Sequence, residues 1–241
     1  MLMAATAQSL PAIEQDHPCY GCAVRQLAVC GSLDSAALRD FKANGPAAEY
    51  EAGETVVFEG DRAANVYSLT SGLLRLSKLL PDGRRQIAGF LFPGDFLGIT
   101  MEEEHAFTAE AVAPASLCRF PRRQFDDCVA AHPELERRLY AVAAHELAAA
   151  RQQLVLLGRK TATERIASFL LMLAGRCHAM RGGDEIDFPM SRADIADYLG
   201  LRIETVSREI TSLKTARIIQ LTGRHSFRIV DSDRLEQLAE G

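Results

Sequence analysis

Residues Arg192-Ala-Asp-Ile-Ala-Asp-Tyr-Leu-Gly-Leu-Arg-Ile-Glu-Thr-Val-Ser-Arg-Glu-Ile-Thr-Ser-Leu-Lys-Thr-Ala-Arg217 have the spacing of two short helices joined by a tight turn. Ala196 is small where two helices must nearly touch. Gly200 follows four residues later, where the chain must reverse and a left-handed backbone is cheapest for glycine. Val206 comes six residues after that, and Ile195, Leu199, Ile203, Ile210 and Leu213 complete an apolar face of helical period. The pattern predicts a helix-turn-helix. In its second helix Glu204, Ser207 and Arg208 stand at i, i+3 and i+4 and share the face opposite Val206 and Ile210. Arginine suits the two acceptors of guanine, and glutamate accepts from the amino group of cytosine. The bland alternative is a helical hairpin on which Glu204 and Arg208 form a solvated ion pair.

The flanks extend the pattern. Ser191 and Asp194 have the spacing of a capping box. Ile218–Leu221 and Phe227–Val230 read as short strands around a turn at Thr222–Ser226, so the unit is expected to be winged. Arg224, His225 and Arg228 would bring positive charge to phosphates, which fixes position without reading sequence. The expected DNA-contact set is Arg192, Arg202, Glu204, Thr205, Ser207, Arg208 and Arg224.

Glu204-xx-Ser207-Arg208 resembles the reading motif of the FNR/FixK branch of the Crp/Fnr transcription regulators. The resemblance spans about residues 19–230 and implies a palindromic target with TTGA-like half-sites. Arg202 departs from it, standing where relatives often carry a hydroxyl residue that caps the reading helix.

The chain of 241 residues carries a formal charge of −5, which is unevenly spread. Residues 1–158 hold 14 basic and 20 acidic groups, those from Arg159 onward 13 and 12, and Arg192–Arg228 seven and four. Positive charge is thus local to the expected DNA surface, and the acidic remainder argues against loose nucleic-acid binding. No apolar run reaches the about 18 residues of a membrane helix, and Met1–Leu10 lacks the basic start of a secretory signal. The sequence reads as cytoplasmic, where six cysteines point to ligands or redox groups rather than structural disulfides.

The expected class is α+β, in four parts. Residues 1–44 form a cysteine segment and helix, 45–130 a β-roll, 131–159 a dimerisation helix and 160–241 the winged helix-turn-helix domain. Glycines at 45, 53, 60, 72, 83 and 94 separate short apolar runs at Thr55–Phe58, Asn65–Leu69, Leu73–Leu79 and Gln86–Phe92. Pro81-Asp82-Gly83 is a turn. Short strands at this spacing predict an antiparallel roll or barrel. The resemblance makes it a double-stranded β-helix of cupin type, with Phe90–Gly98 as its central turn. From Pro133 to about Gly158 the pattern is helical. Tyr140, Ala143, Leu147, Ala150, Leu154 and Leu157 recur at 3-4-3-4-3, a heptad seam for a second copy. Leu135, Leu139 and Val142 form a neighbouring stripe that would pack on the roll. A palindromic site calls for a two-fold dimer; the alternative is a helix buried in its own domain. A further helix from about Thr161 to Arg181 carries Ile166, Phe169, Leu170 and Leu173 and is closed by Arg181-Gly182-Gly183-Asp184.

Cys19, Cys22 and Cys30 follow C-x2-C-x7-C, with Pro18, Gly21 and Gly31 letting the chain bend around a bound group. Thiolates suit iron–sulfur clusters or zinc, and three leave a tetrahedral set one ligand short. Cys128 and Cys177 lie on apolar helical faces and read as packed core thiols. Cys118 ends the β-roll and has no such partner. The resemblance, here to FnrN-like regulators of the alphaproteobacteria, implies that Cys118 completes an oxygen-labile [4Fe–4S] site with Cys19, Cys22 and Cys30. Zinc and a metal-free thiol switch remain as alternatives. His17 and His105 are possible further ligands, with a surface position the expected one.

The family's other ligand is a cyclic nucleotide, held by a Gly-Glu-Leu turn followed by an arginine and a hydroxyl residue. Here Gly94-Asp95-Phe96-Leu97-Gly98 is followed by the acidic run Glu102-Glu103-Glu104 and no arginine, so no cyclic nucleotide is expected. An enzyme on a cupin-type roll would need a His/carboxylate metal set, and the roll contains just His105. The resulting expectation is a dimeric, oxygen-sensing transcription activator, not an enzyme. RNA polymerase would be a further partner, with Glu102–Glu104 as a candidate contact.

Overall fold

The computed structural model describes residues 11–43, 45–98, 102–181 and 185–241. The expectations for Met1–Leu10 and for Gly182–Asp184 at the end of a helix lie outside the described residues. Contacts divide the chain into two compact units, one holding residues up to Lys78 with Gly89–Leu147, the other Leu79–Ala88 with Ala148–Gly241.

A helix α1 (Ser35–Ala43) precedes strands β1 (Ala47–Tyr50), β2 (Thr55–Val57), β3 (Asn65–Leu79), β4 (Arg85–Leu91), β5 (Phe96–Leu97) and β6 (Thr108–Pro121), all of the first unit except Leu79 of β3 and Arg85–Ala88 of β4. The sheet order is β1-β6-β3-β4, with β2 on β6 and β5 on β3. Strand β6 is the spine, antiparallel to β1, β2 and β3. Its inward residues Ala109, Ala111, Ala115 and Leu117 meet Leu69, Leu74, Leu91 and Leu97 in one core. Here the roll departs from expectation. The runs Asn65–Leu69 and Leu73–Leu79 are one strand, and Gly72 is not a turn between them. Its φ of 87° lies within β3, where the pairing with β6 shifts register between Leu69 and Leu74. A side chain there would stand 2.4 Å from the Pro114 carbonyl oxygen, so glycine serves a bulge pressed onto the neighbouring strand. Pro81-Asp82-Gly83 does form the expected turn, with Gly83 N–H on the Leu80 carbonyl at 2.9 Å and φ of 83°.

A second apolar cluster covers the sheet. Val29, Leu33, Leu38 and Phe41 pack with Val66, Phe120, Phe125 and Leu135. Phe41 and Phe120 stack at 4.0 Å between centroids. Helix α2 (Arg122–Ala131) and the first half of α3 (Pro133–Arg159) contribute Phe125 and Leu135. Leu139 and Val142 join the same cluster, as their stripe predicts. Burying side chains of this size contributes roughly 1.5–3 kcal/mol each, which holds the N-terminal segment, α1 and α3 to one face of the sheet.

The second unit is built on α4 (Ala162–Arg181), with α5 (Arg192–Leu199) and α6 (Ile203–Thr215) as the helix pair. Ile166, Phe169, Leu170 and Leu173 of α4 are buried with Ile195, Leu199, Val206, Ile210 and Leu213. The expected wing strands are β8 (Ile219–Leu221) and β9 (Ser226–Ile229), paired Ile219 to Ile229 and Leu221 to Phe227. Two elements escaped the sequence. Strand β7 (Glu185–Asp187) adds a third strand on β9, and α7 (Ser232–Glu240), capped by Asp231, packs along α4. Ile203 was expected on the apolar face; as the first residue of α6 it is instead 44% exposed. Among the described residues no helix is long and apolar enough to cross a membrane.

Candidate functional site

The helix pair is held by local chemistry. Ser191 Oγ accepts from the Asp194 N–H at 3.1 Å, and Asp194 accepts from the Ser191 N–H at 3.0 Å, completing the capping box. Gly200 closes α5 with φ of 61°, and both Gly200 and Leu201 donate to the Ala196 carbonyl. Val206 of α6 is fully buried, at 0% exposure. A clamp that the sequence did not reveal adds to it. Arg85 Nη2 donates to Asp194 at 2.8 Å and Arg85 Nε to Asp197 at 2.9 Å, while Gln86 donates to the Asp197 carbonyl.

With Val206 and Ile210 inward, Arg202, Glu204, Ser207 and Arg208 are exposed and Thr205 is half-buried. Arg208 lies 3.9 Å from Glu209 rather than pairing with Glu204. Glu209 is itself engaged by the Thr163 hydroxyl at 2.8 Å. Arg202 caps α6 with extended backbone and no side-chain cap bond. In the wing, Arg224, His225 and Arg228 are all exposed, and the turn is braced by the Thr222 hydroxyl on Ser226 at 2.9 Å. Arg192 does not stand with this group. Its guanidinium lies over the Phe188 ring at 4.8 Å, and burial holds its pKa below the ordinary arginine value.

The six cysteines are free thiols. Cys19, Cys22, Cys30 and Cys118 line one pocket together with Arg25, Phe41, Lys42 and Phe120. Cys118 arrives there on β6, in register with Ala47 of β1 and Ser68 of β3. The other three come from a run of tight turns. Cys22 N–H donates to the Cys19 carbonyl at 3.2 Å, and Cys30 sits in a short 3-10 turn, Val29–Ser32. His17 organises the start of this run and is not at the surface. It is 3% exposed, its Nδ1 accepts from Cys19 N–H at 3.0 Å, and its Nε2 lies 3.2 Å from the Ser35 carbonyl. His105 is likewise buried, at 6% exposure, with its backbone tied to Asp61 and Gly60.

The pocket is thiol chemistry with cations beside it. Neither histidine nor carboxylate is among its lining residues. Burial, then the charges of Cys22, Cys19 and Cys118, push the Cys30 thiol up to about 12. Burial and Cys22 raise Cys19 as well, against Lys42 and Arg25, which lower it. Four thiolates crowded together are unfavourable without a compensating positive centre, and a thiophilic metal group supplies one. The donor set therefore fits an all-cysteine metal group. Among the described residues, no group of three or more His, Cys, Asp or Glu is placed to hold a single metal ion, and the four cysteines share the lining of one pocket. Cys128 and Cys177 stand apart. Cys128 packs in the second apolar cluster 3.6 Å from His132 Nδ1, and Cys177 is half-buried with its thiol 3.8 Å from the Asp187 carbonyl.

On α3, Tyr140, Leu147 and Leu154 are 78%, 53% and 73% exposed, and Ala143 and Ala150 are exposed beside them. Leu157 is half-buried. Among the described residues, the seam positions of α3 are thus exposed except for Leu157.

Residues 164–238 match the Crp-like helix-turn-helix domain, and residues 47–132 match the cyclic nucleotide-binding domain. The chain is 45% identical over 224 residues to the nitrogen fixation regulation protein FixK of Bradyrhizobium diazoefficiens, covering 92% of this chain and 94% of that one. It is 38% identical to the transcriptional activator protein FnrL of Cereibacter sphaeroides, covering 91% of this chain and 90% of that one. The solved structure of FixK2 from Bradyrhizobium japonicum superposes with a TM-score of 0.76 at 37% identity, over 80% of this chain and 96% of that one. With a β-roll followed by a winged helix-turn-helix, and relatives this similar along nearly its whole length, the chain belongs to the Crp/Fnr family of transcription regulators, DNA-binding proteins rather than enzymes.

Proposed function

We propose that this chain is an oxygen-responsive transcription activator. It binds a TTGA-type palindrome as a homodimer while Cys19, Cys22, Cys30 and Cys118 hold an intact [4Fe–4S] cluster. The observation that carries the reading is the meeting of these four thiols, three from the N-terminal segment and one from β6, around one pocket. The cluster would supply sensitivity to oxygen, since its iron–sulfide core is open to oxidation. The chain's own residues do the rest. The thiols bind, Arg25 and Lys42 offset negative charge, and the seam on α3 pairs two reading helices for two half-sites. Glu204, Ser207 and Arg208 read base edges, and Arg224 and Arg228 hold phosphates. The acidic, arginine-free stretch Glu102–Glu104, exposed after the Gly94–Gly98 turn, supports a roll that does not take a cyclic nucleotide. RNA polymerase is the partner that an activator requires.

The test is anaerobic purification with absorption, iron and sulfide measurements, followed by DNA binding before and after air. A broad visible band, about four irons and four sulfides, and loss of binding in air are expected. Colourless protein with one zinc and air-insensitive DNA binding would overturn the reading in favour of a zinc-stabilised regulator.

A further inference from the structure

Lys42, in the last turn of α1, turns its side chain into the thiol pocket. Its Nζ donates to the Gly45 carbonyl at 2.8 Å and to Cys118 Sγ at 3.1 Å. We infer that Lys42 is the positioning and tuning residue of the metal site: its ammonium, bonded to the Cys118 sulfur, raises the cluster's reduction potential and slows its oxidation. This inference rests on the cluster reading above.

Four thiolates on a [4Fe–4S] core of charge 2+ leave a net charge of −2. Each further electron removed from the core relieves that charge, so a negative, partly dry site favours oxidation. A fixed cation opposes it, and a hydrogen bond to a ligand sulfur draws electron density away from iron in the same direction. Lys42 meets both conditions. The pocket lining holds no carboxylate to neutralise it. Its anchor is rigid as well: a side chain on Gly45 would fall 2.0 Å from the Phe120 ring, so the Gly45 backbone is wedged against the aromatic stack. Arg25, the other cation of the lining, instead directs its Nη2 to the Pro11 carbonyl. Lys42 also joins the two sources of ligands. Cys118 comes from the sheet, and α1 packs through Leu38 and Phe41 with Val29 and Leu33, which flank Cys30.

The test uses full-length protein purified without oxygen, as wild type, Lys42→Met, Lys42→Gln and Lys42→Arg. Two quantities are read besides DNA binding: the midpoint potential in an anaerobic redox titration, and the rate of visible bleaching by ferricyanide. In the second, one electron leaves the core, taking it from 2+ to 3+, and ferricyanide becomes ferrocyanide. Lys42→Met should lower the potential and bleach about tenfold faster, the equivalent of one charge-assisted hydrogen bond. Lys42→Gln keeps a donor without the charge and should fall between, while Lys42→Arg should stay near wild type. Wild-type potential and bleaching rate in either uncharged variant would overturn this inference alone. Wild-type protein without iron and sulfide would overturn the cluster reading and this inference with it.

Discussion

Arg138 on α3 grips the backbone at Gln26: its Nη2 donates to the Gln26 carbonyl at 2.7 Å and also reaches the Leu27 carbonyl at 3.1 Å. Gln26 and Leu27 lie between Cys22 and Cys30, and Tyr140 begins the exposed seam two residues beyond Arg138. The loop that carries three thiols is therefore tied directly to the helix that carries the seam. Arg138→Ala should retain iron and sulfide but weaken anaerobic binding to the palindrome several-fold, consistent with roughly 0.5–1.5 kcal/mol for such a bond. Titration of labelled palindrome measures this, and unchanged affinity would show that the loop and helix are not coupled through this contact.

The ligand set makes a selective prediction. Cys19→Ser, Cys22→Ser, Cys30→Ser or Cys118→Ser should each abolish the visible band and anaerobic DNA binding. Cys128→Ser and Cys177→Ser, outside the pocket, should leave iron content nearly unchanged. Full iron and sulfide in Cys118→Ser would remove β6 from the site.

Ala150 is exposed in the middle of the seam. In a two-fold contact, Ala150→Glu would set like charges face to face as they lose water, which is strongly destabilising. Analytical ultracentrifugation under nitrogen should show a monomer with its cluster intact. A dimer unaffected by this substitution would mean that the helix pairs along another face.

Arg208 and Arg224 are both exposed but should separate in a binding series over single-base variants. Arg208→Ala should cost roughly 1–3 kcal/mol on the cognate site and flatten preference at one symmetric base pair. Arg224→Ala should weaken all sequences alike and reduce the salt slope by about one. Even loss across all variants for Arg208→Ala would make that residue a phosphate contact.

His105 gives the fold an acid limit. Burial, with the Arg122 charge and against Asp61, lowers its pKa from the usual histidine value of 6.5. A histidine held neutral in this way contributes stability above its unfolded pKa, and that contribution is lost as pH falls through the folded one. Urea unfolding should therefore show stability declining below about pH 6.5, and His105→Asn should flatten the decline. An equally steep acid decline in that variant would assign it to other groups.

Much of the reading surface was legible because it is settled within a few residues. The Ser191–Asp194 box, the left-handed Gly200 and the buried Val206 follow from caps, turn conformation and helical period. The Pro81-Asp82-Gly83 turn and the length of α3 were local in the same sense. The cysteine spacing marked three of the four thiols that line the pocket, and family resemblance pointed to Cys118. Tertiary structure alone decided features whose partners are distant in the chain. Gly72 lies at a bulge of β3 on β6, where a side chain would meet the Pro114 carbonyl, and the buried His17 lies against the Ser35 carbonyl. Lys42 reaches Cys118 across 76 positions, and Arg85 reaches Asp194 across 109. Sequence determines which backbone conformations are cheap and which faces are apolar; which remote side chains meet is set by strand register and by the packing of α1, α2 and α3 on the sheet.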